Sequence, residues 1–145
     1  MFMKNKMILT LTLVFIISIS GMTNQIYTDY PQTPKETIET YFGKVTGPFK
    51  DYEGAYEMLS IEVRHHGDLN EYKRQIKHFE SLRPRAEYKI TDIKYIERKS
   101  DYAAINLTTR AIGPRITSTS SREINLYKEE GKWKVFQRFH PEGFQ

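Results

Sequence analysis

Arg122 is the side chain in this sequence best suited to recognising a ligand. It shares one strand phase with Ile116, Ser118, Ser120, Ile124 and Leu126, so a small, polar set continues the line of an apolar inward face. A guanidinium at the mouth of a pocket pairs bidentately with a carboxylate or phosphate. Arg122, Ser118 and Ser120 are therefore the candidate ligand-binding residues. The competing reading is an exposed strand end, with Arg122 paired to a surface acid.

Other chemistry-bearing residues point elsewhere. His65, His66 and Asp68, joined by His78, are metal-ligating types, but adjacent histidines in an extended stretch face opposite ways and do not readily share one ion. A solvated turn is the better account. Asp92 falls at an expected bulge and Asp101 at a turn. Tyr41, Tyr56, Tyr72 and Tyr88 lie on stripes that a core has to fill anyway. Packing thus accounts for these residues better than acid–base catalysis does, no residue is assigned a catalytic role, and no metal or cofactor is called for. Asn106-Leu107-Thr108 matches a glycosylation sequon, yet it falls inside an expected central strand. Arg64, Lys73, Arg74, Lys77, Arg83 and Arg85 cluster in sequence, with Glu71, Glu80 and Glu87 interrupting them, which is the pattern of a solvated helix face rather than a lipid-binding one.

These residues have to be positioned by helices followed by strands. Thr33-Pro34-Lys35-Glu36 sets a hydroxyl N-cap, a proline at the first helical position and a glutamate at the third, a capping box. Ile38, Tyr41, Phe42 and Val45 follow at helical spacing, so a helix is expected from Pro34 to Val45, ended by Gly47-Pro48. Asp51 caps a second short helix with Tyr52, Ala55, Tyr56 and Leu59 on its buried side. Ile61 to Arg64 is β-branched enough to predict a short strand. Asp68 and Glu71 open a third helix, whose stripe is Leu69, Tyr72, Ile76, Phe79 and Leu82. Past Pro84 the period changes to that of strands, with a bulge expected near Thr91-Asp92. Ala103 to Ala111 alternates cleanly, Ile124 and Leu126 continue after Gly113-Pro114, and Trp133, Val135, Gln137 and Phe139 follow the Glu129-Glu130-Gly131-Lys132 turn. Helices first and four consecutive strands afterwards predict an α+β domain, its helices packed on a curved antiparallel sheet of four main strands.

Composition restricts the rest. The 145 residues are 39% hydrophobic, 13% aromatic and 28% charged, a globular balance that leaves room for one domain. The absence of cysteine excludes a disulfide framework, thiolate metal sites and cysteine nucleophiles. Half of the net charge of +4 comes from Lys4 and Lys6, so the domain itself is close to balanced and lacks the basic stripe that a nucleic acid requires. Those lysines precede an apolar and hydroxyl run from Met7 to Met22, the charge-then-hydrophobe order of a secretory signal. Its length is compatible both with cleavage after Ser20 and with retention as an anchor. The expected organisation is a signal peptide or anchor over 1–22, a linker over 23–32, a domain over 33–140 and a tail over 141–145.

Two resemblances follow from these motifs. Ile19-Ser20-Gly21-Met22 is similar to a bacterial lipoprotein signal with Met22 in the place of the lipidated cysteine, and methionine has no thiol to acylate. The pair Tyr41-Phe42, the run Asp51-Tyr52-Glu53-Gly54-Ala55-Tyr56 and the ending Glu130-Gly131-Lys132-Trp133-Lys134-Val135 together resemble the NTF2-like superfamily over roughly Thr33 to Phe139. Within it, the chain is most similar to small exported, lipoprotein-like domains of Gram-positive bacteria. That resemblance implies a cone with a closed, packed end and an open end that can hold a pocket. Enzymes of the superfamily use an acidic base with tyrosine donors, or a His-Asp pair, and neither set can be placed on this sequence.

The functional expectation is a non-catalytic exported module, secreted or held at the membrane by its N-terminal segment. Its partner would be an envelope protein, a cell-wall component or a small ligand, with no role for nucleic acid. Two alternatives are an extracytoplasmic subunit of an envelope secretion or conjugation assembly, and a small-molecule enzyme of isomerase or dehydratase type.

Overall fold

A computed structural model describes residues 30–82, 84–114 and 117–137. The leader over 1–22, most of the linker, Ile116, Phe139 and the tail lie outside the described residues. Four helices come first: α1 (Pro34–Thr46), α2 (Tyr52–Glu57), α3 (Ile61–His65) and α4 (Leu69–Leu82). Four strands follow: β1 (Glu87–Arg98), β2 (Tyr102–Ile112), β3 (Thr117–Glu129) and β4 (Lys132–Val135). They form one antiparallel sheet in the order β1-β2-β3-β4. The α+β architecture with a curved four-stranded sheet is thus as the sequence predicts.

The helix starts follow the capping chemistry. At α1 the Glu36 backbone N–H donates to Thr33 Oγ1 at 3.2 Å and the Thr33 N–H donates to the Glu36 carboxylate at 3.1 Å, closing the box. Asp51 accepts from the Gly54 N–H at 2.9 Å and Asp68 from the Glu71 N–H at 2.8 Å, so both aspartates are committed to caps. At the far end of α1, the Gly47 N–H donates to the Gly43 carbonyl at 2.8 Å. The backbone there turns so tightly that a Cβ on Gly47 would collide with that same carbonyl oxygen. Gly47→Ala is therefore expected to destabilise the domain by about 1–3 kcal/mol, read as a lowered urea midpoint. A Cβ on Gly54 would crowd the Asp51 carboxylate and the end of Lys44, so Gly54→Ala is expected to cost about what the Asp51 cap contributes, roughly 0.5–2 kcal/mol.

One predicted element is corrected. Ile61 to Arg64 is not a strand but most of helix α3. Ser60 supplies the N-cap, its Oγ accepting from the Val63 N–H at 3.3 Å, and its carbonyl accepts from the Arg64 N–H at 3.1 Å. The Glu129 carboxylate accepts from the Ile61 N–H, adding a negative charge where the helix dipole favours one. Extended, sheet-pairing backbone occurs just upstream: Leu59 bridges Val135 in parallel. The Ser60 N–H donates to the Val135 carbonyl and the Val135 N–H to the Met58 carbonyl, both at 2.9 Å. The chain leaving α2 therefore covers the outer edge of β4.

In the sheet, the register between β1 and β2 shifts between Ile90 and Asp92, where the sequence places a bulge, and again between Tyr95 and Glu97. The turn into β4 has positive φ at Glu130 (48°) and Gly131 (78°), the two-residue hairpin geometry that matches strand twist. The core joins Ile38, Tyr41, Phe42 and Val45 of α1, Ala55, Met58 and Leu59, Tyr72 and Ile76 of α4, and the inward residues of β2, β3 and β4. Ordered contact begins ahead of residue 33. Tyr30 packs against this core, and its hydroxyl donates to the Trp133 carbonyl at 2.7 Å.

Candidate functional site

The inner face of the sheet is divided along its length. Ala103, Ile105 and Leu107 of β2 and Ile124 and Leu126 of β3 are fully buried beneath the helices. Further along the same face, β2 continues with Thr109 and Ala111, and β3 with Arg122, Ser120 and Ser118. The pairs are Leu107 with Arg122, Thr109 with Ser120, and Ala111 with Ser118. Residues directly opposed on antiparallel strands project to one face, so the three residues singled out in the sequence do line up on the inward side. Arg122 and Ser118 are half-buried and Ser120 is exposed.

Their surroundings are polar but structured. Thr109 is buried, and its hydroxyl shares a 3.2 Å hydrogen bond with that of Ser120. Burial pulls the Arg122 guanidinium below its ordinary value, although an arginine so placed still carries its charge at neutral pH. The half-buried Tyr88 and Ile90 of β1 flank this end of the face, Tyr88 opposite Ala111 and Ile90 opposite Thr109. Among the described residues the arrangement brings a cation, hydroxyls and an apolar floor to one face, a combination that suits an anionic group on a partly apolar ligand. Thr109 is the residue that sequence reasoning passed over. Its signal was a lone hydroxyl in an otherwise apolar alternation.

The remaining candidates are dispersed. Tyr41 and Tyr72 are buried with their hydroxyls 2.8 Å apart, and Tyr56 donates to the Arg64 and Gly67 carbonyls. These tyrosines tie α1, α2, α3 and α4 together inside the domain. Asp92 is turned to the outer face and paired with Lys94 at 2.9 Å. Asp101 sits at the β1–β2 turn, where its carbonyl accepts from the Lys128 N–H. His65, His66 and His78 are exposed, and among the described residues no group of three or more metal-ligating side chains converges. On α4, Lys73 pairs with Glu53 at 2.7 Å and Arg74 with Glu71 at 2.6 Å, and Lys50 reaches Glu80 at 2.8 Å. That face is laced with ion pairs of both signs. Asn106 lies within the interior strand β2. Among the described residues, the buried polar side chains are Thr37, Ser60 and Thr109, none of them an acid or a base, and no helix is long and apolar enough to cross a membrane.

Fold and face together define an α+β domain whose helices pack on the apolar end of the sheet's inner surface. Comparison with solved structures supports that class. The chain matches the structure of Bd1075 from Bdellovibrio bacteriovorus with a TM-score of 0.52 and 10% identity, over 70% of this chain and 36% of that one. It also matches the solution structure of RPA3114, a SEC-C motif containing protein from Rhodopseudomonas palustris, with a TM-score of 0.55 and 12% identity, over 73% of this chain and 77% of that one. The chain thus spans only about a third of the Bdellovibrio protein. Likeness at such low identity is a likeness of fold. No family model matches the sequence, and no curated protein is significantly similar to it.

Proposed function

We propose that this chain is an exported, non-catalytic binding module of the bacterial cell envelope, NTF2-like in superfamily, that holds an anionic ligand on the polar end of its sheet. The observation that carries the reading is the half-buried Arg122, opposite Leu107 and beside the Thr109–Ser120 hydroxyl pair, on the same face as the core. A desolvated guanidinium with neighbouring hydroxyls binds carboxylate or phosphate more strongly than a solvated one does. The export half of the reading is supported by the Lys4 and Lys6 then Met7-to-Met22 order of the leader. A non-catalytic role is favoured because, among the described residues, those opposed across β2 and β3 on this face are a cation, hydroxyls and apolar side chains, and no carboxylate or histidine is opposed to Arg122 there to move a proton.

Thermal unfolding in the presence of carboxylate- and phosphate-bearing small molecules tests this. The parent chain is expected to melt at higher temperature with at least one of them, and Arg122→Ala to lose that shift while keeping its ligand-free melting temperature within a few degrees. Equal ligand-induced shifts in the parent and the variant would remove Arg122 from the site.

A further inference from the structure

β1 is an edge strand, and among the described residues no other strand pairs with its outward side. Edges of this length invite pairing with another chain and are usually guarded by charges or bulges. This edge carries both, but the order of its charges is unusual. On the outer face Glu87, Lys89, Asp92, Lys94, Glu97 and Lys99 alternate strictly in sign. Among the described residues their ion pairs are with their neighbours along the chain: Lys89 with Glu87 at 3.1 Å, Lys94 with Asp92 at 2.9 Å and Lys99 with Glu97 at 2.6 Å. All six side chains lie at the surface, where such pairs contribute little.

An alternating stripe with an even number of charges becomes its own complement when reversed. A second copy of β1 laid antiparallel about Ile93 sets Glu87 opposite Lys99, Lys89 opposite Glu97 and Asp92 opposite Lys94, each pair occurring twice. The same register brings Ile96, which is 57% exposed, against Ile90 of the other copy. It also offers Lys89 an acid, whereas across β2 it faces Arg110, a like-charge opposition. Both bulges fall outside the centre of the register, leaving Asp92 to Tyr95 regular. A guard built of one sign repels its own copy; this one attracts it. We infer that the outer edge of β1 is a two-fold interface at which two copies of this chain join their sheets, Asp92 of each opposite Lys94 of the other.

The test uses the full 145-residue chain in mild detergent, with sedimentation velocity as the readout. The parent is expected to sediment as a pair. Asp92→Lys and Lys94→Asp, each alone, set like charges opposite one another twice, and are expected to weaken self-association by about tenfold or more. An equimolar mixture of the two restores complementarity and is expected to form the mixed pair. The doubly exchanged variant, of unchanged composition, is expected to pair with itself and not with the parent, which decides the matter even if a single variant folds poorly. A monomeric parent, single variants that associate as the parent does, or a doubly exchanged chain that pairs freely with the parent would each overturn the interface.

Discussion

Trp133→Ala is expected to lower the free energy of unfolding by about 3–5 kcal/mol, enough to leave a domain of this size marginal or unfolded at growth temperature. The indole is 5% exposed and belongs to the same core cluster as Tyr41, Leu59 and Ile105. Its removal empties a large volume where α1, β3 and β4 meet, in a strand of only four residues. Lys128 lies 5.7 Å from the ring centroid, so a cation–π contact is lost along with the packing. Urea unfolding followed by circular dichroism measures the effect. A loss below about 1 kcal/mol would mean that Trp133 is peripheral to the core.

The second large effect is alkaline. Burial, reinforced by the Glu129 carboxylate, pushes the Tyr30 hydroxyl up to about 12. Burial, with a hydrogen bond donated to Glu80, does the same for Tyr52, also to about 12. Unfolded tyrosine ionises near pH 10. The folded state therefore holds two protons that the unfolded state releases between pH 10 and 12, and stability is full below pH 10 and falls as the pH rises through that window. Since both rings are only half-buried, solvent screening reduces the loss to roughly 1–2 kcal/mol per tyrosine. Unfolding free energies at pH 9 and pH 11.5 are expected to differ by the sum, and Tyr30→Phe combined with Tyr52→Phe to flatten the dependence. An equally steep decline in that double variant would place its origin elsewhere, for instance in the surface lysines.

How far these features can be read from the sequence depends on how local their causes are. The caps at Thr33, Asp51 and Asp68 are each written within four residues, and all three appear where expected. The bulge near Thr91 was visible because Tyr88 and Ile90 change phase with Ile93 and Tyr95. The second, before Glu97, was masked by the adjacent apolar pair Tyr95-Ile96, which fits either phase. Ile61 to Arg64 misled because β-branched residues favour strands only when a partner strand is available. Here Ser60 caps a helix instead, and the pairing with β4 is made by Leu59. The inward alignment of Arg122 with Ser118 and Ser120 could be read from strand phase alone. Thr109 stood out only as a lone hydroxyl among apolar residues, and its contact with Ser120 could not be read, because it depends on the register between two strands. Tyr30 lay in a stretch with no periodicity, and its docking on Trp133 is a long-range contact that no window of sequence contains.

The parallel bridge between Leu59 and Val135 also constrains the order in which the molecule can mature. The meander from Glu87 onward closes through hairpins between neighbours, which form quickly because little chain must be looped. The helical half differs, since the Met58 carbonyl and the Ser60 N–H find backbone partners on β4, more than seventy residues further along the chain. A nascent chain emerging from its N-terminus has therefore made its helices long before it has the surface that completes them. The backbone pairing of Met58 and Ser60 therefore cannot close until β4 has been made.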